Sequence, residues 1–112
     1  MKELLTWLYG KSSKNAHIRG MAEKAILLLR EKGSLEYQEL CTILGIGFDK
    51  YKKPKRTFYF VVNPLKRVAL IQEKRVFGED GKKYRTMYFL SPDAFYGYMK
   101  KTVDDFHQQI KQ

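Results

Sequence analysis

Between Lys50 and Leu90 the chain carries twelve lysines and arginines, at positions 50, 52, 53, 55, 56, 66, 67, 74, 75, 82, 83 and 85, against three acids at 73, 79 and 80. That stretch holds +9 of a formal net charge of +10 spread over 112 residues. Ammonium and guanidinium groups gathered in this way do the chemistry of binding: they displace the counterions condensed on a polyanion and contact its phosphates. Charge that served only solubility would be distributed over every exposed face. Nucleic acid or an anionic membrane surface is the natural partner.

The residue types that make and break bonds are sparse. His17 and His107 are isolated in sequence, Asp104-Asp105 reads as an exposed helix face, and there is no phosphate loop, nucleophile elbow or metal-ligand spacing. No enzymatic activity, metal or cofactor is therefore expected. Cys41 is the single cysteine, which excludes an intrachain disulfide and a thiolate-rich zinc site, and its helical spacing makes it a small core residue rather than a nucleophile. The length suits one compact domain, and eight Tyr and seven Phe argue against disorder. No run approaches the roughly 20 apolar residues of a membrane span, and Met1 to Gly10 lacks the features of a signal peptide, so a soluble, cytoplasmic protein is expected.

The elements that must position the basic stretch follow from periodicity. Residues 1–9 form a helical arm with Leu4, Leu5, Trp7 and Leu8 on its apolar side and Trp7 as packing anchor, ending at a hinge from Gly10 to Asn15. From Asn15, residues Ile18, Met21, Ala22, Ala25, Ile26 and Leu29 recur at helical spacing up to a Gly33 cap. A short extended piece at Ser34-Leu35 leads into a second helix, Glu36 to Leu44, stopped by Gly45. Ile46 to Lys53 is a basic loop. Past Pro54, Phe58, Val62, Leu65 and Ala69 share one helical face, yet Phe58 to Val62 (FYFVV) favours a strand and Pro64 would break a helical hydrogen bond, so these residues alone leave both structures open. Leu70–Phe77 and Tyr84–Leu90 flank the Asp80-Gly81 turn as a β-hairpin. Ser91-Pro92-Asp93 then starts a last helix with Phe95, Met99, Val103, Phe106 and Ile110 on one stripe, covered by the core and the Trp7 arm.

Three helices and a hairpin, with Glu39-Leu40-Cys41-x-x-Leu44-Gly45-Ile46 on the second helix and Leu65-Lys66-Arg67-Val68-Ala69-Leu70-Ile71 joining the third to the first strand, resemble the winged helix-turn-helix family over Ala16 to Ser91. Many members have Gly where Ala69 stands, and most have a tighter turn than Ile46 to Lys53. Length, composition and these motifs are also similar to the small winged-helix proteins of archaeal spindle-shaped viruses (fuselloviruses). The resemblance implies an α+β fold with a three-helix core and a two-stranded β-wing, and divides the chain into an arm (1–14), a DNA-binding domain (15–91) and a C-terminal helix packed on that domain (92–112). It implies that Phe58 to Val62 is helical and that this third helix reads DNA.

The residues that would then bind double-stranded DNA are Lys50, Lys52, Lys53, Lys55, Arg56, Thr57, Tyr59, Asn63, Lys66 and Arg67 on the third helix and the loop before it, and Lys82, Lys83 and Arg85 on the wing. Arg56 and Asn63 are the base readers, and Tyr59 or Phe60 packs against the arm or stacks on sugar. A viral transcription regulator acting in the host cell, without a membrane partner, is the expected function. The rival is a winged helix used for protein assembly without sequence-specific DNA binding. A monomer is expected, with the stripe on the last helix as the face through which two copies could join.

Overall fold

The computed structural model describes residues 1–48, 50 and 55–111. Its elements are α1 (Lys2–Tyr9), a 3-10 turn (Ser13–Asn15), α2 (Ala16–Lys32), β1 (Ser34–Glu36), α3 (Tyr37–Leu44), α4 (Arg56–Arg67), β2 (Ile71–Phe77), β3 (Tyr84–Leu90) and α5 (Pro92–Lys111). The extended piece at Ser34-Leu35 proves to be a third strand, pairing Leu35 with Tyr88 at the centre of an antiparallel sheet ordered β1-β3-β2. This element order and sheet make the chain an α+β winged helix.

The segment that could have been strand is helix. Phe58, Val61, Val62 and Leu65 on α4 are buried to within 1 % of complete, meeting Leu29 of α2 and Leu40 and Cys41 of α3 in one cluster. Spacings of three and four residues put these side chains on one face of a helix, whereas a strand would send Val61 and Val62 to opposite sides. Burial of four large apolar groups at roughly 1.5–3 kcal/mol each outweighs the β preference of the sequence and the donor lost at Pro64. Val61, absent from the expected stripe, belongs to it. Ala69, expected within it, does not: it lies beyond the end of α4, half-buried, with φ of 63°.

That angle explains why glycine is common at this place in the resembling family. The Ala69 N–H donates to the Lys66 carbonyl at 3.0 Å and the Leu70 N–H to the Leu65 carbonyl at 3.0 Å, the paired bonds that close a helix through a left-handed residue. The closure turns the chain directly into β2, whose partner β3 is fixed in register from Ile71↔Leu90 to Phe77↔Tyr84.

The N-terminal arm is anchored differently from expectation. Leu5 and Tyr9 are its buried residues, whereas Trp7 is 59 % exposed. Trp7 lies about 200° around the helix from both, since each residue turns the helix by about 100°, so α1 cannot bury all three. The Tyr9 hydroxyl donates a hydrogen bond to the Val61 carbonyl, tying the arm to α4. The segment expected as a hinge is tied to its surroundings as well: Arg19 donates to the carbonyls of Gly10 (2.7 Å) and Ser12 (2.9 Å), and Asn15 to that of Tyr9 (2.8 Å).

The last helix also departs from expectation. Phe95 and Met99 pack against the core, but Val103, Phe106 and Ile110 are 58–63 % exposed, and neither the domain nor the arm covers them. With α5 extending outward, the radius of gyration is 16.1 Å, against roughly 13 Å for a compact domain of this length.

Because an alanine is held where glycine is unstrained, Ala69→Gly should raise the unfolding free energy by about 0.5–1 kcal/mol, and Ala69→Val should lower it by about 1–2 kcal/mol. Urea denaturation at an unchanged m-value would check both signs.

Candidate nucleic-acid interface

Once Phe58, Val61, Val62 and Leu65 are committed to the core, the opposite side of α4 is fixed: Arg56, Tyr59, Phe60, Asn63 and Arg67 face outward. Arg56 and Asn63 stand two turns apart on this face, about 10.5 Å along the axis. The Arg56 guanidinium sits over the Phe60 ring, 5.4 Å from its centroid. Neither Tyr59 (45 % exposed) nor Phe60 (53 %) is buried beneath the arm, which reaches α4 through Tyr9 instead. Tyr59 stacks edge-on to Phe58 with ring centroids 5.5 Å apart, leaving its outer edge at the surface.

The sheet brings the wing beside this helix. An open cleft of ≈650 Å³ runs between α4 and the hairpin, and Tyr59, Asn63, Lys66 and Arg85 line it together. Four of the residues singled out in sequence, from segments about twenty residues apart, thus meet at one site. Arg56, Arg67, Lys82 and Lys83 are exposed outside the cleft, and Thr57 is half-buried. Lys50 is exposed in the loop before α4; Lys55 closes that loop, its N–H donating to the Gly47 carbonyl at 3.0 Å. Lys52, Lys53 and Pro54 lie outside the described residues.

The hairpin loop is shaped by its own acid. The Asp80 carboxylate accepts from the backbone N–H groups of Lys82 (3.0 Å) and Lys83 (3.4 Å), while Gly81 takes φ of 66° and Gly78 bonds back to the Lys83 carbonyl at 2.9 Å. Asp80 is therefore the residue that folds the loop on which Lys82 and Lys83 are carried.

Several participants were not singled out in sequence. Glu73 on β2 pairs with Lys66 at 3.2 Å, so one lysine of α4 is engaged by a carboxylate inside the same cleft. Glu73 stands opposite Tyr88 in the β2-β3 register. Burial, and then the neighbouring Glu73 carboxylate, holds the Tyr88 phenol far above its ordinary range, so it stays neutral. On the wing, Arg75 lies 4.6 Å from the centroid of the Tyr84 ring, which packs against Phe77 at 5.7 Å. Lys74 lies 5.4 Å from the Phe89 ring centroid. The signal for the Arg75, Phe77 and Tyr84 cluster was the Asp80-Gly81 turn, from which the register places Phe77 opposite Tyr84. Burial pushes the Cys41 thiol up to about 11, as suits an inert core residue.

Among the described residues no group of His, Cys, Asp and Glu is arranged to hold a metal ion, and no helix is long and apolar enough to cross a membrane. No family model matches the chain, and no curated protein matches it in sequence. Among solved structures it is similar to a possible transcriptional regulator from Methanosarcina mazei Go1, with 11 % identity and a TM-score of 0.49, over 98 % of this chain and 85 % of that one.

If the cleft takes a phosphate, Glu73 competes with it for the Lys66 ammonium. Glu73→Gln should release Lys66 and tighten binding to a DNA duplex about two- to fivefold, the range expected when an exposed pair worth up to about 1 kcal/mol is removed. The slope of log K against log salt should steepen by about 0.9. Fluorescence anisotropy on one duplex at several salt concentrations measures both.

Proposed function

We propose that the chain is a double-stranded DNA-binding transcription regulator that lays α4 in the major groove and its wing on the flanking backbone. The observation that carries this reading is the exposed row on α4, Arg56, Tyr59, Asn63 and Arg67, of which Tyr59 and Asn63 line one cleft together with Arg85 of the wing. A helix with its side chains is about 10–12 Å across and the B-form major groove about 12 Å wide, so one α4 fits where the row can meet base edges. Arg56 has the donor fork for guanine O6 and N7, and Asn63 the donor and acceptor for adenine N6 and N7. Tyr59 and Phe60 supply apolar contact to thymine methyls or sugars.

Phosphates supply most of the affinity in this reading. Lys50, Lys52, Lys53 and Lys55 precede α4 in sequence, Thr57, Lys66 and Arg67 lie along it, and Lys82, Lys83 and Arg85 extend the contact along the backbone or into the minor groove. Residues 15–91 form the DNA-binding domain, with the arm and the last helix as appendages. The resemblance of the length, composition and motifs to the small winged-helix proteins of archaeal spindle-shaped viruses extends the proposal to a viral regulator working in the cytoplasm of its host. Double-stranded RNA is a poor alternative, because its deep, narrow major groove does not admit a helix.

Titration with duplex DNA should give a slope of log K against log salt of about −4 to −5, corresponding to some five neutralised phosphates. Weak binding that ignores salt would refute the proposal. Reading and anchoring separate in two variants: Arg56→Ala should cut discrimination between selected and random duplexes by about 1–3 kcal/mol, whereas Lys83→Ala should weaken both duplexes alike. Equal losses on the two duplexes from both variants would remove Arg56 as a base reader.

A further inference from the structure

The outward half of α5 carries a feature that DNA binding does not use. From Lys100 to Lys111 every residue is exposed, yet Tyr96, Met99, Val103, Phe106 and Ile110 form a continuous apolar row, with Tyr96 68 %, Val103 58 %, Phe106 61 % and Ile110 63 % exposed. Their spacings are three, four, three and four. That is the narrow seam of a coiled coil, with β-branched Val103 and Ile110 at one repeating position and Met99 and Phe106 at the other. A projecting helix of this length is marginal by itself, and Gly97 within it weakens it further. The seam needs a partner to hold it.

Charge identifies the partner. Residues 92–111 carry Lys100, Lys101 and Lys111 against Asp93, Asp104 and Asp105, a net charge of zero, so the whole +10 of the chain resides elsewhere. A polyanion or an anionic lipid surface finds no net attraction along α5. Two copies of a strongly basic protein, in contrast, can approach through their neutral elements without long-range repulsion. The seam is also complementary to itself, since a three-four repeat presents the knobs and holes that an identical helix requires.

Area agrees. At roughly 100 Å² of exposed apolar surface for each of Tyr96, Val103, Phe106 and Ile110, two copies would withdraw about 800 Å² from water through these positions, and the aliphatic stem of Lys100 and the flanking Gln109 add to it. Specific interfaces begin at about 1,200 Å² in total.

We infer that α5 is a homodimerisation helix, pairing along Tyr96, Val103, Phe106 and Ile110 with the same face of a second copy. The inference stands independently of DNA binding, because its readout is mass in the absence of nucleic acid.

Sedimentation equilibrium of the full chain at about 100 µM, enough to place about 80 % of chains in a dimer with Kd near 10 µM, should give a weight-average mass about 1.8 times the chain mass of 13.3 kDa. Phe106→Lys should return the species to 13.3 kDa with an unchanged near-ultraviolet dichroism spectrum, since Phe106 is exposed and outside the core. Trp7→Lys, an equally exposed change on the arm, should leave the dimer intact. A wild-type chain that stays monomeric at this concentration, or a dimer that survives Phe106→Lys, would overturn the inference, as would a dimer lost in Trp7→Lys alone.

Discussion

The interaction on which the structure depends is the burial of one face of α4. Phe58, Val61, Val62 and Leu65 are almost wholly removed from water, and they meet residues from α2 and α3 in the same cluster. Because a helix is rigid, sinking one face determines the other: the row from Arg56 to Arg67 is exposed as a consequence of packing. The same burial seats Leu65 at the helix end, and the Leu70 N–H bond to its carbonyl aims β2. The wing thus inherits its direction from the core, through a cap that an alanine holds at positive φ.

A second constraint acts on the charges. Cations concentrated in one stretch of a small domain repel one another, and Asp80 and Glu73 in that stretch are placed where they organise the cations. Asp80 folds the hairpin loop through two backbone bonds, and Glu73 pairs with Lys66 while facing Tyr88 across the strands. Aromatic rings do related work: Phe60 lies beneath Arg56 and Tyr84 beneath Arg75. These contacts restrict side chains that would otherwise sample many rotamers, which lowers the entropy cost of presenting them to a ligand. The cleft between α4 and the wing is accordingly mixed in charge, with Glu36 and Glu73 among its lining residues.

The arm and the last helix show the same chemistry in opposite situations. Each has more apolar residues than one face can bury. In α1 the surplus is Trp7, while Leu5 and Tyr9 dock and the Tyr9 hydroxyl reaches α4. In α5 only the first turns dock, through Phe95 and Met99, and the remaining row projects from the body. An exposed apolar row on a neutral helix is a surface for association rather than for a polyanion.

The sequence by itself determined the elements whose signals are local. Gly33 and Gly45 mark the ends of α2 and α3, the Asp80-Gly81 turn sets the hairpin, and Ser91-Pro92-Asp93 starts α5, because caps and turns depend on the backbone preferences of a few adjacent residues. The concentration of positive charge was equally legible, being a matter of counting. Tertiary structure decided the rest. Residues 58–62 have the composition of a strand and became helix because the neighbouring helices bury one helical face of them, an energy that no local preference contains. The engagement of Lys66 by Glu73, the meeting of Asn63 with Arg85 and the exposure of Trp7 and Phe106 all depend on which surfaces the fold leaves facing one another. Apolar periodicity says that a face seeks cover; only the packed chain shows whether the cover is there.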